Sequence, residues 1–386
     1  MDSQPKVTRL TKNPAEHDRL AAAGLAPALR VLIESKGGTG LRVATHLKAL
    51  DVLDGQKRIY LHLDSDHGDR YSTTLPDGTV VGLQPDELCL FGWDDARSQL
   101  RRHSALARRY QTLLRGNPVS QTYKRGAAQC RPMGLLQYEL SFPAILEAKR
   151  ARLNALYSPT EARGASLQDV VLAREAQLQM AQPLLDVHIA SAVGGQGSSI
   201  AIHDAYATRW LCEQRGIKNV THVGILLGPQ AFQRRERNIE LNYTATMREL
   251  EKAYRDGFTL VLPAGEQAVF ARPPFDELYL LDLAEWPRSE DPDRRLSDTA
   301  MDAWLRQVAL TVHTYTQRAL HDRLESLLLN LANQTDESLS FGTLNAAMAF
   351  ADLAALNQAI ALDKTEAMLR ALLARCSTDH EDISNH

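Results

Sequence analysis

The sequence lacks the features that define several protein classes. Its four cysteines, Cys89, Cys130, Cys212 and Cys376, are widely scattered, which excludes a dense disulfide framework and a paired-cysteine zinc site. It contains no apolar run of about 18 residues, and its polar N-terminus, MDSQPKVTRLTKNPAEHDRL, has no signal-peptide pattern. No long low-complexity segment indicates disorder. We therefore expect a cytoplasmic protein with reduced thiols and no membrane insertion.

An excess of positive charge is also missing. The net charge is −3, with 24% charged residues, so the overall field gives no indication of a nucleic-acid partner. The one arginine-rich cluster, between Arg97 and Arg115, has helical spacing and is typical of a solvated helix face. The histidines show no zinc-ligand spacing. We expect neither a nucleic-acid partner nor a metal ion held by the protein alone.

What the chain does contain is a regular alternation of strands and helices. At 386 residues and 44% hydrophobic content it can bury one large core. Short apolar runs (ALRVLIES, KRIYLHLD, LLDVHIASAV and NVTHVGILLG) alternate with stretches of helical periodicity. This pattern predicts an α/β fold with an open, mostly parallel sheet and helices on both faces.

The same pattern predicts four regions along the chain. They are a polar lead over residues 1–25, an α/β domain over 26–296, a long helix over 297–332, and a small C-terminal region over 333–386. A helix of that length could run through the middle of the molecule.

Two glycine-rich turns, KGGTG at 36–40 and GGQGSS at 194–199, each join a predicted strand to a predicted helix. Such turns leave backbone N–H groups free to face an anion, and the helix N-terminus adds partial positive charge. A tight turn can also require glycine for steric reasons alone. Two such turns in one α/β chain favour phosphate binding.

The other side chains of these turns suggest further contacts. Ser198 and Ser199 can cap the helix and donate to phosphate oxygens. Gln196 has no steric reason to be there, so we predict a ligand contact for it. Lys36 supplies a point charge to a phosphate or is simply solvated.

The turns exclude one nucleotide-binding motif and fit another in part. Neither carries Gly-Lys-Ser/Thr, which excludes a Walker loop. Gly38 and Gly40 match the first two glycines of a dinucleotide-binding fingerprint, and Asp64 stands where a ribose-binding acid is expected. Val43 occupies the third glycine position. A NAD-dependent oxidoreductase is therefore one alternative, although it leaves GGQGSS without a role.

Six segments in a fixed order resemble the nucleotide loops of the tubulin/FtsZ superfamily. They are LIESKGGTGLRVATHLK, LHLDSD, GAAQCRPMG, SAVGGQGSSIAIHDA, VGILLGPQAF and IELNYTATMREL. The chain is most similar to bacterial tubulin-like proteins whose first loop contains GGTG. The resemblance extends over residues 29–330. It implies a protein that binds GTP or GDP with Mg²⁺ arriving on the nucleotide, and that associates head-to-tail into cytoskeletal filaments.

The resemblance also implies roles for individual residues. GGQGSS stands for the phosphate-wrapping tubulin signature GGGTGSG, and the GGTG turn would lie under the β-phosphate and the sugar. Acidic residues after the second strand would face the γ-phosphate and Mg²⁺, and a later loop would sense the γ-phosphate. The implied phosphate-site residues are Gly37, Gly38, Thr39, Gly40, Asp64, Asp66, Gly126, Ala127, Gln129, Arg131, Gly194, Gly195, Gln196, Gly197, Ser198 and Ser199.

Three acids are implied to contact the rest of the nucleotide. Glu240 precedes NYTAT much as tubulins carry an acid before their YNAT segment, and it would accept the ribose hydroxyls. Asp298 or Asp302, at the start of the predicted long helix, would read the base edge. An acid near a helix start is also favoured by the helix dipole alone.

The sequence departs from the family at two places. Glu34, Ser35 and Lys36 replace the apolar and glycine residues that usually precede the first loop. The acid-rich loop that a neighbouring subunit inserts to catalyse hydrolysis is not recognisable. Acids do occur in that region, namely Asp322, Glu325, Asp336 and Glu337. GTPase activity and polymerisation thus stay open, and a non-polymerising nucleotide-binding or regulatory module is the second hypothesis.

Overall fold

The computed structural model describes most of the α/β region. The described residues are 29–54, 58–68, 70–93, 98, 100, 102, 104–113, 126–127, 129–157, 183–232, 237–262, 265–283, 297–317 and 341–342. Their strands are β1 (Arg30–Lys36), β2 (Ile59–Asp64), β3 (Ser72–Thr74), β4 (Val80–Gly82), β5 (Leu88–Leu90), β6 (Leu184–Ser191), β7 (Val220–Leu227), β8 (Phe258–Val261), β9 (Gln267–Phe270), β10 (Glu277–Leu281) and β11 (Phe341–Gly342). Their helices are α1 (Gly37–Asp54), α2 (Ser104–Leu113), α3 (Arg131–Tyr157), α4 (Gly195–Gln214), α5 (Arg237–Asp256) and α6 (Asp298–Tyr315), with a 3-10 turn at Pro85–Glu87.

The main sheet has seven strands in the order β11-β10-β7-β6-β1-β2-β5. Every strand pair in it is parallel. From β1 the chain adds β2 and β5 on one side. It then returns to add β6, β7, β10 and β11 on the other side. The order therefore reverses between β1 and β6, and ligands of open α/β sheets bind in the crevice at such a switch point.

Two apolar clusters cover the two faces of this sheet. On one face Leu32 and Leu61 pack against α3 and α4, with Leu146 and Tyr206 among the buried residues. On the other face Val31, Ile33 and their neighbours pack against α1 and α6. Alternate residues of a strand point to opposite faces, so both faces of β1 are buried. The predicted parallel sheet with helices on both faces is confirmed.

The first residues of helices α3 and α6 explain where these two helices begin. Helix α3 begins at Arg131, four residues before the predicted helix LLQYEL, because Pro132 suits the first turn of a helix. Helix α6 begins after Ser297, whose hydroxyl accepts a hydrogen bond from the Ala300 amide at 3.1 Å. Residues 318–332 of the predicted long helix lie outside the described residues, as do 1–28 and 343–386. The four predicted regions stay a prediction.

Among the described helices, none combines the length and the apolar character needed to cross a bilayer.

Candidate functional site

The first glycine turn lies at the carboxyl end of β1. Gly37 has a φ of +70°, a conformation that side-chain-bearing residues rarely adopt, and it lets the strand pass directly into α1. A Cβ atom on Gly37 would lie 3.2 Å from the backbone N of Gly197 in the second turn. The two turns, more than 150 residues apart in sequence, are thus in contact.

The second glycine turn lies at the carboxyl end of β6, which is paired with β1. Gly194 is the N-cap of α4 and makes no side-chain capping bond. The Ser198 hydroxyl donates to the Gly194 carbonyl, and the Ser199 hydroxyl donates to the Gln196 carbonyl at 2.8 Å. The predicted capping by these serines is wrong, because Gly194 is the N-cap and both hydroxyls bond back to carbonyls of the preceding turn.

The acidic loop after β2 lies beside the second turn. Asp64 accepts hydrogen bonds on Oδ1 from the amides of Ser65 at 2.7 Å and Asp66 at 3.2 Å. The Ser65 hydroxyl donates to Gln196 Oε1 at 2.7 Å. Gln196 Nε2 donates in turn to the Gly134 carbonyl at 3.3 Å. Gln196 therefore joins three segments of the protein, a role that its position in the sequence did not reveal.

These segments enclose a cavity of about 210 Å³ at the switch point of the sheet. The N-termini of α1 and α4 both lie at it, and each brings partial positive charge. Two carboxylates, Asp64 and Asp66, form part of its wall. The lining residues are Lys36, Gly37, Gly38, Thr39, Asp64, Asp66, Gly126, Ala127, Ser191, Gly194, Gln196 and Gly197. The cavity thus combines backbone donors and carboxylates, which suits a polyphosphate carrying a divalent cation.

The loop that precedes α3 closes one side of the cavity through very close packing. A Cβ on Gly195 would lie 2.8 Å from the Cα and N of Gln129, and one on Gly134 would lie 2.7 Å from the Gly195 carbonyl. Real Cβ atoms do not come so near to backbone. Gly134 and Gly195 therefore allow the N-terminal ends of α3 and α4 to meet. Gly134 was not among the predicted site residues, although RPMG lies inside a quoted segment.

Arg131 lies at this junction, and its side chain contacts α5. Its guanidinium donates to Thr246 Oγ1 at 3.1 Å and forms an ion pair with Glu249, both on α5. It is the first residue of α3 and does not line the cavity. Its implied role as a charge on the γ-phosphate stays a prediction, and the structure shows it joining α3 to α5.

Nine of the predicted site residues do not line the cavity. Gly40 approaches β6, since a Cβ there would meet the Ile189 carbonyl at 3.0 Å. Glu240 and Asp298 are exposed in the first turns of their helices. The predicted residues outside the cavity lining are Gly40, Gln129, Arg131, Gly195, Ser198, Ser199, Glu240, Asp298 and Asp302.

Asp302, one of the two acids implied to read the base, is engaged by three neighbours. Its Oδ1 accepts from Tyr71 Oη and lies 3.0 Å from His46 Nε2. Burial opposes ionisation of this carboxyl, but the hydrogen bonds from Tyr71 and His46 outweigh that effect and hold the pKa of Asp302 below its usual value. Arg306 Nη2 also lies 2.9 Å from Asp302 Oδ2. A base edge would therefore have to share this carboxylate with Tyr71, His46 and Arg306.

A buried ion network lies between the sheet and the helices that follow the cavity loops. Lys149 of α3 is fully buried and donates to Glu34 of β1, to Asp204 Oδ2 of α4 at 3.0 Å and to Thr208 Oγ1 at 2.6 Å. Lys36 Nζ lies 2.9 Å from the same Asp204 oxygen. The network therefore connects β1, α3 and α4, whose ends form the cavity. Lys36 is therefore not solvated, since its ammonium is buried in this network.

The network continues across the sheet through two histidines. Lys36 Nζ lies 2.8 Å from His188 Nδ1, and Asp186 Oδ2 lies 2.7 Å from both His188 Nε2 and His222 Nδ1. Asp186, His188 and His222 bring metal-ligand atoms together, a grouping that their sequence spacing did not indicate because they lie on neighbouring strands. The Lys36 ammonium against His188 disfavours a cation there.

Protonation balances the charges of this network. Burial raises the pKa of Glu34 to about 8, although Lys149 opposes the rise. Burial also lowers the pKa of His188 to about 4. Burial opposes ionisation of Asp204, yet Lys149 and Lys36 hold the pKa of Asp204 well below its usual value. Near neutral pH Glu34 is therefore largely protonated, while Asp186 and Asp204 keep their negative charge.

A glutamate with a raised pKa makes stability depend on pH. Because the folded-state pKa of Glu34, about 8, lies above its ordinary 4.5, its stabilising contribution is full below pH 4.5 and is lost as the pH rises through 8. The quantity to follow is the difference in unfolding free energy between the wild type and Glu34→Gln. We expect this difference to fall as pH rises from about 5 to about 8. Urea titrations at several pH values measure it. The exposed Glu266→Gln variant should follow the wild type, and a constant difference for Glu34→Gln would contradict the expectation.

A family model described as "Tubulin like" matches residues 37–360, which is most of the chain. This chain belongs to the tubulin-like family. A tubulin-like α/β fold thus accounts for the parallel sheet and for the convergence of the two glycine turns at its switch point. A search of curated proteins gave no match.

Solved structures of other tubulin-like proteins are similar at low sequence identity. CetZ2 from Haloferax volcanii, in a GTPγS-bound protofilament, is 16% identical, with a TM-score of 0.38 over 74% of this chain and 59% of that one. CetZ from Methanosaeta thermophila strain DSM 6194 is 15% identical, with a TM-score of 0.43 over 82% and 61%. TubZ from Bacillus thuringiensis serovar israelensis, in a GTPγS-form protofilament, is 11% identical, with a TM-score of 0.34 over 79% and 61%. The chain spans about three fifths of the length of these structures.

Proposed function

We propose that this tubulin-like chain binds GTP or GDP through the cavity between its two glycine turns. One observation carries the proposal: the turns at 36–40 and 194–199 converge from neighbouring strands on a single cavity that also holds Asp64 and Asp66. At about 210 Å³ the cavity suits the phosphate chain, while the sugar and base would extend beyond it. Membership of the tubulin-like family and relatives described as GTPγS- or GDP-bound favour guanine.

Each part of the cavity has a physical role in this proposal. The first-turn amides of α1 and α4 donate to phosphate oxygens, and the helix dipoles stabilise their negative charge. Mg²⁺, when bound with the nucleotide, would neutralise part of that charge. Asp66 and Asp64 offer the oxygen ligands that Mg²⁺ prefers. Glu240 for the ribose and Asp298 or Asp302 for the base remain candidates, all of them outside the cavity itself.

Self-association is the second part of the proposal. Relatives described as protofilaments support head-to-tail assembly, in which a neighbouring subunit covers the nucleotide. The acids Asp322, Glu325, Asp336 and Glu337, considered for hydrolysis in trans, lie outside the described residues. Pelleting with GTP, together with phosphate release that rises steeply with protein concentration, would support a polymerising GTPase. Binding without either would support the regulatory-module hypothesis.

Nucleotide binding is tested by competition. A fluorescent GTP analogue should bind in the presence of Mg²⁺ and be displaced by GTP and GDP at far lower concentrations than by ATP or NAD⁺. A saturating nucleotide, at about 100 times its Kd, should also raise the unfolding free energy by about 2.7 kcal/mol. Displacement by NAD⁺ but not by GTP would refute the proposal and favour the oxidoreductase. Val43 of α1 stands at the third glycine position of the dinucleotide fingerprint, and its side chain is buried in the apolar core.

The role of Asp66 gives a sharper prediction. Asp66→Asn keeps the Oδ1 that accepts from the Gly68 amide at 2.8 Å, so the loop should keep its shape. The variant loses a negative oxygen ligand, and we expect Mg²⁺ to strengthen nucleotide binding far less than in the wild type. Titrations in Mg²⁺ and in EDTA measure the ratio of the two affinities. Asp77→Asn, at an exposed hairpin turn, is the matched control and should keep the wild-type ratio.

A further inference from the structure

One buried amide joins two loops that both contribute to the cavity wall. Asn242 lies on α5 and is 7% exposed. Its Nδ2 donates to the Gln129 carbonyl at 2.9 Å and to the Val193 carbonyl, also at 2.9 Å. Gln129 lies in the loop before α3, and Val193 lies in the turn before α4. Each of the two N–H bonds of the amide is therefore used on a different loop.

Both of these loops contribute directly to the cavity. Gly126 and Ala127, a few residues before Gln129, line it, and so do Ser191 and Gly194, on either side of Val193. A displacement of either carbonyl would therefore change the relative position of the two loops at the cavity. Asn242 itself does not line the cavity, so its effect on a ligand would be indirect.

The loop before α3 has a conformation that needs outside support. Gln129 has a φ of +57°, and among the described residues other than glycine it is the one with a positive φ. Such a conformation costs free energy and persists when surrounding contacts determine it. The bond from Asn242 to the Gln129 carbonyl is such a contact. One turn further along α5, Thr246 donates to the Ala192 carbonyl at 3.1 Å and supports the other loop.

We infer that Asn242 is a positioning residue that clamps the two loops at the spacing the phosphates require. The effect of the clamp on affinity rests on the proposed function, because only a cavity that binds phosphates gains affinity when its loops are held in a fixed relative position. Binding is stronger when the donors are fixed in place beforehand. Loss of the amide should therefore loosen both loops in the free protein and weaken nucleotide binding.

The clamp is tested first without nucleotide. Hydrogen exchange in peptides covering 126–131 and 191–195 should be about tenfold faster in Asn242→Ala, consistent with loss of one hydrogen bond to each loop. A peptide covering β10, at 277–281, should be unchanged, which separates loop opening from global unfolding. Asn238→Ala, an exposed asparagine on the same helix, is the matched control and should exchange like the wild type. Unchanged exchange in either loop of Asn242→Ala would overturn the clamp.

An aspartate at the same position provides an independent readout. Asn242→Asp keeps the shape but turns a carboxylate towards two carbonyl oxygens, which should raise the pKa of that new carboxyl. When protonated it can donate again to one loop. We expect its nucleotide affinity, about tenfold below the wild type at pH 8, to recover partly at pH 6. A pH profile parallel to that of the wild type would also overturn the clamp.

The two experiments separate failure of the clamp from failure of nucleotide binding. If exchange rises in both loops but the wild type binds no GTP, the clamp stands and the proposed function fails. If the wild type binds GTP and exchange is unchanged in Asn242→Ala, the proposed function stands and the clamp fails.

Discussion

Lys149→Met is expected to lower the unfolding free energy by about 3–5 kcal/mol, the loss typical of removing one partner from a buried ion pair. Lys149 has no exposed side-chain surface and donates to Glu34, Asp204 and Thr208. Methionine fills a similar volume but leaves Asp204 with Lys36 as its remaining ammonium partner in this network. Urea denaturation of the two proteins measures the difference.

The matched control is Lys252→Met on the exposed side of α5. A surface substitution of this kind should change the unfolding free energy by no more than about 0.5 kcal/mol. If Lys149→Met were equally mild, the network would contribute little to the fold, and its role in joining β1, α3 and α4 would have to be abandoned. The loss of stability should also affect the cavity, because its loops lie at the ends of β1, α3 and α4.

Gly195→Ala is expected to weaken nucleotide binding at least tenfold and to destabilise the protein by about 1–3 kcal/mol, as overpacking usually does. The added Cβ would lie 2.8 Å from Gln129 backbone atoms and 2.9 Å from the Cys130 amide nitrogen. Backbone cannot rotate away as a long side chain can. The loop before α3 must therefore move off α4, and it takes Gly126 and Ala127 of the cavity wall with it.

Gly78→Ala controls for the general cost of replacing a glycine. Gly78 has a φ of +87° at a hairpin turn, and a Cβ there would meet nothing within 4 Å. Its substitution should cost about 1 kcal/mol of backbone strain and leave nucleotide affinity unchanged. Thermal unfolding and fluorescent-nucleotide titration of both variants distinguish the two effects. Wild-type affinity in Gly195→Ala would show that the contact between the loops does not shape the site.

Much of the cavity could be predicted from sequence because its elements are local. A strand that ends in glycines and continues as a helix shows in the periodicity of ALRVLIES and KGGTG, and again in LLDVHIASAV and GGQGSS. Gly37, Gly38, Thr39, Asp64, Asp66, Gly126, Ala127, Gly194, Gln196 and Gly197 were all predicted and all line the cavity. The parallel strand order places these local turns side by side.

The direction of the polar side chains could not be predicted in the same way. Lys149 stands in the run EAKRARL, where nothing local separates a buried lysine from the half-buried arginine that follows it. Arg131 is a basic residue beside a glycine-rich loop, yet its partners Thr246 and Glu249 are on α5. Asn242 lies in the quoted segment IELNYTATMREL, but only its distance to two carbonyls reveals what its amide does.

The sequence by itself therefore determined the alternation of strands and helices and the two turns able to hold an anion, because side-chain periodicity and glycine sterics act over a few neighbouring residues. Only the tertiary structure decided that Lys149 donates to acids 115 and 55 positions away, and that the Asn242 amide donates to loops 113 and 49 positions away. A buried charge or amide must find its partner wherever the folded chain brings one within hydrogen-bond distance, and that distance is set by the packing of the whole sheet and its helices.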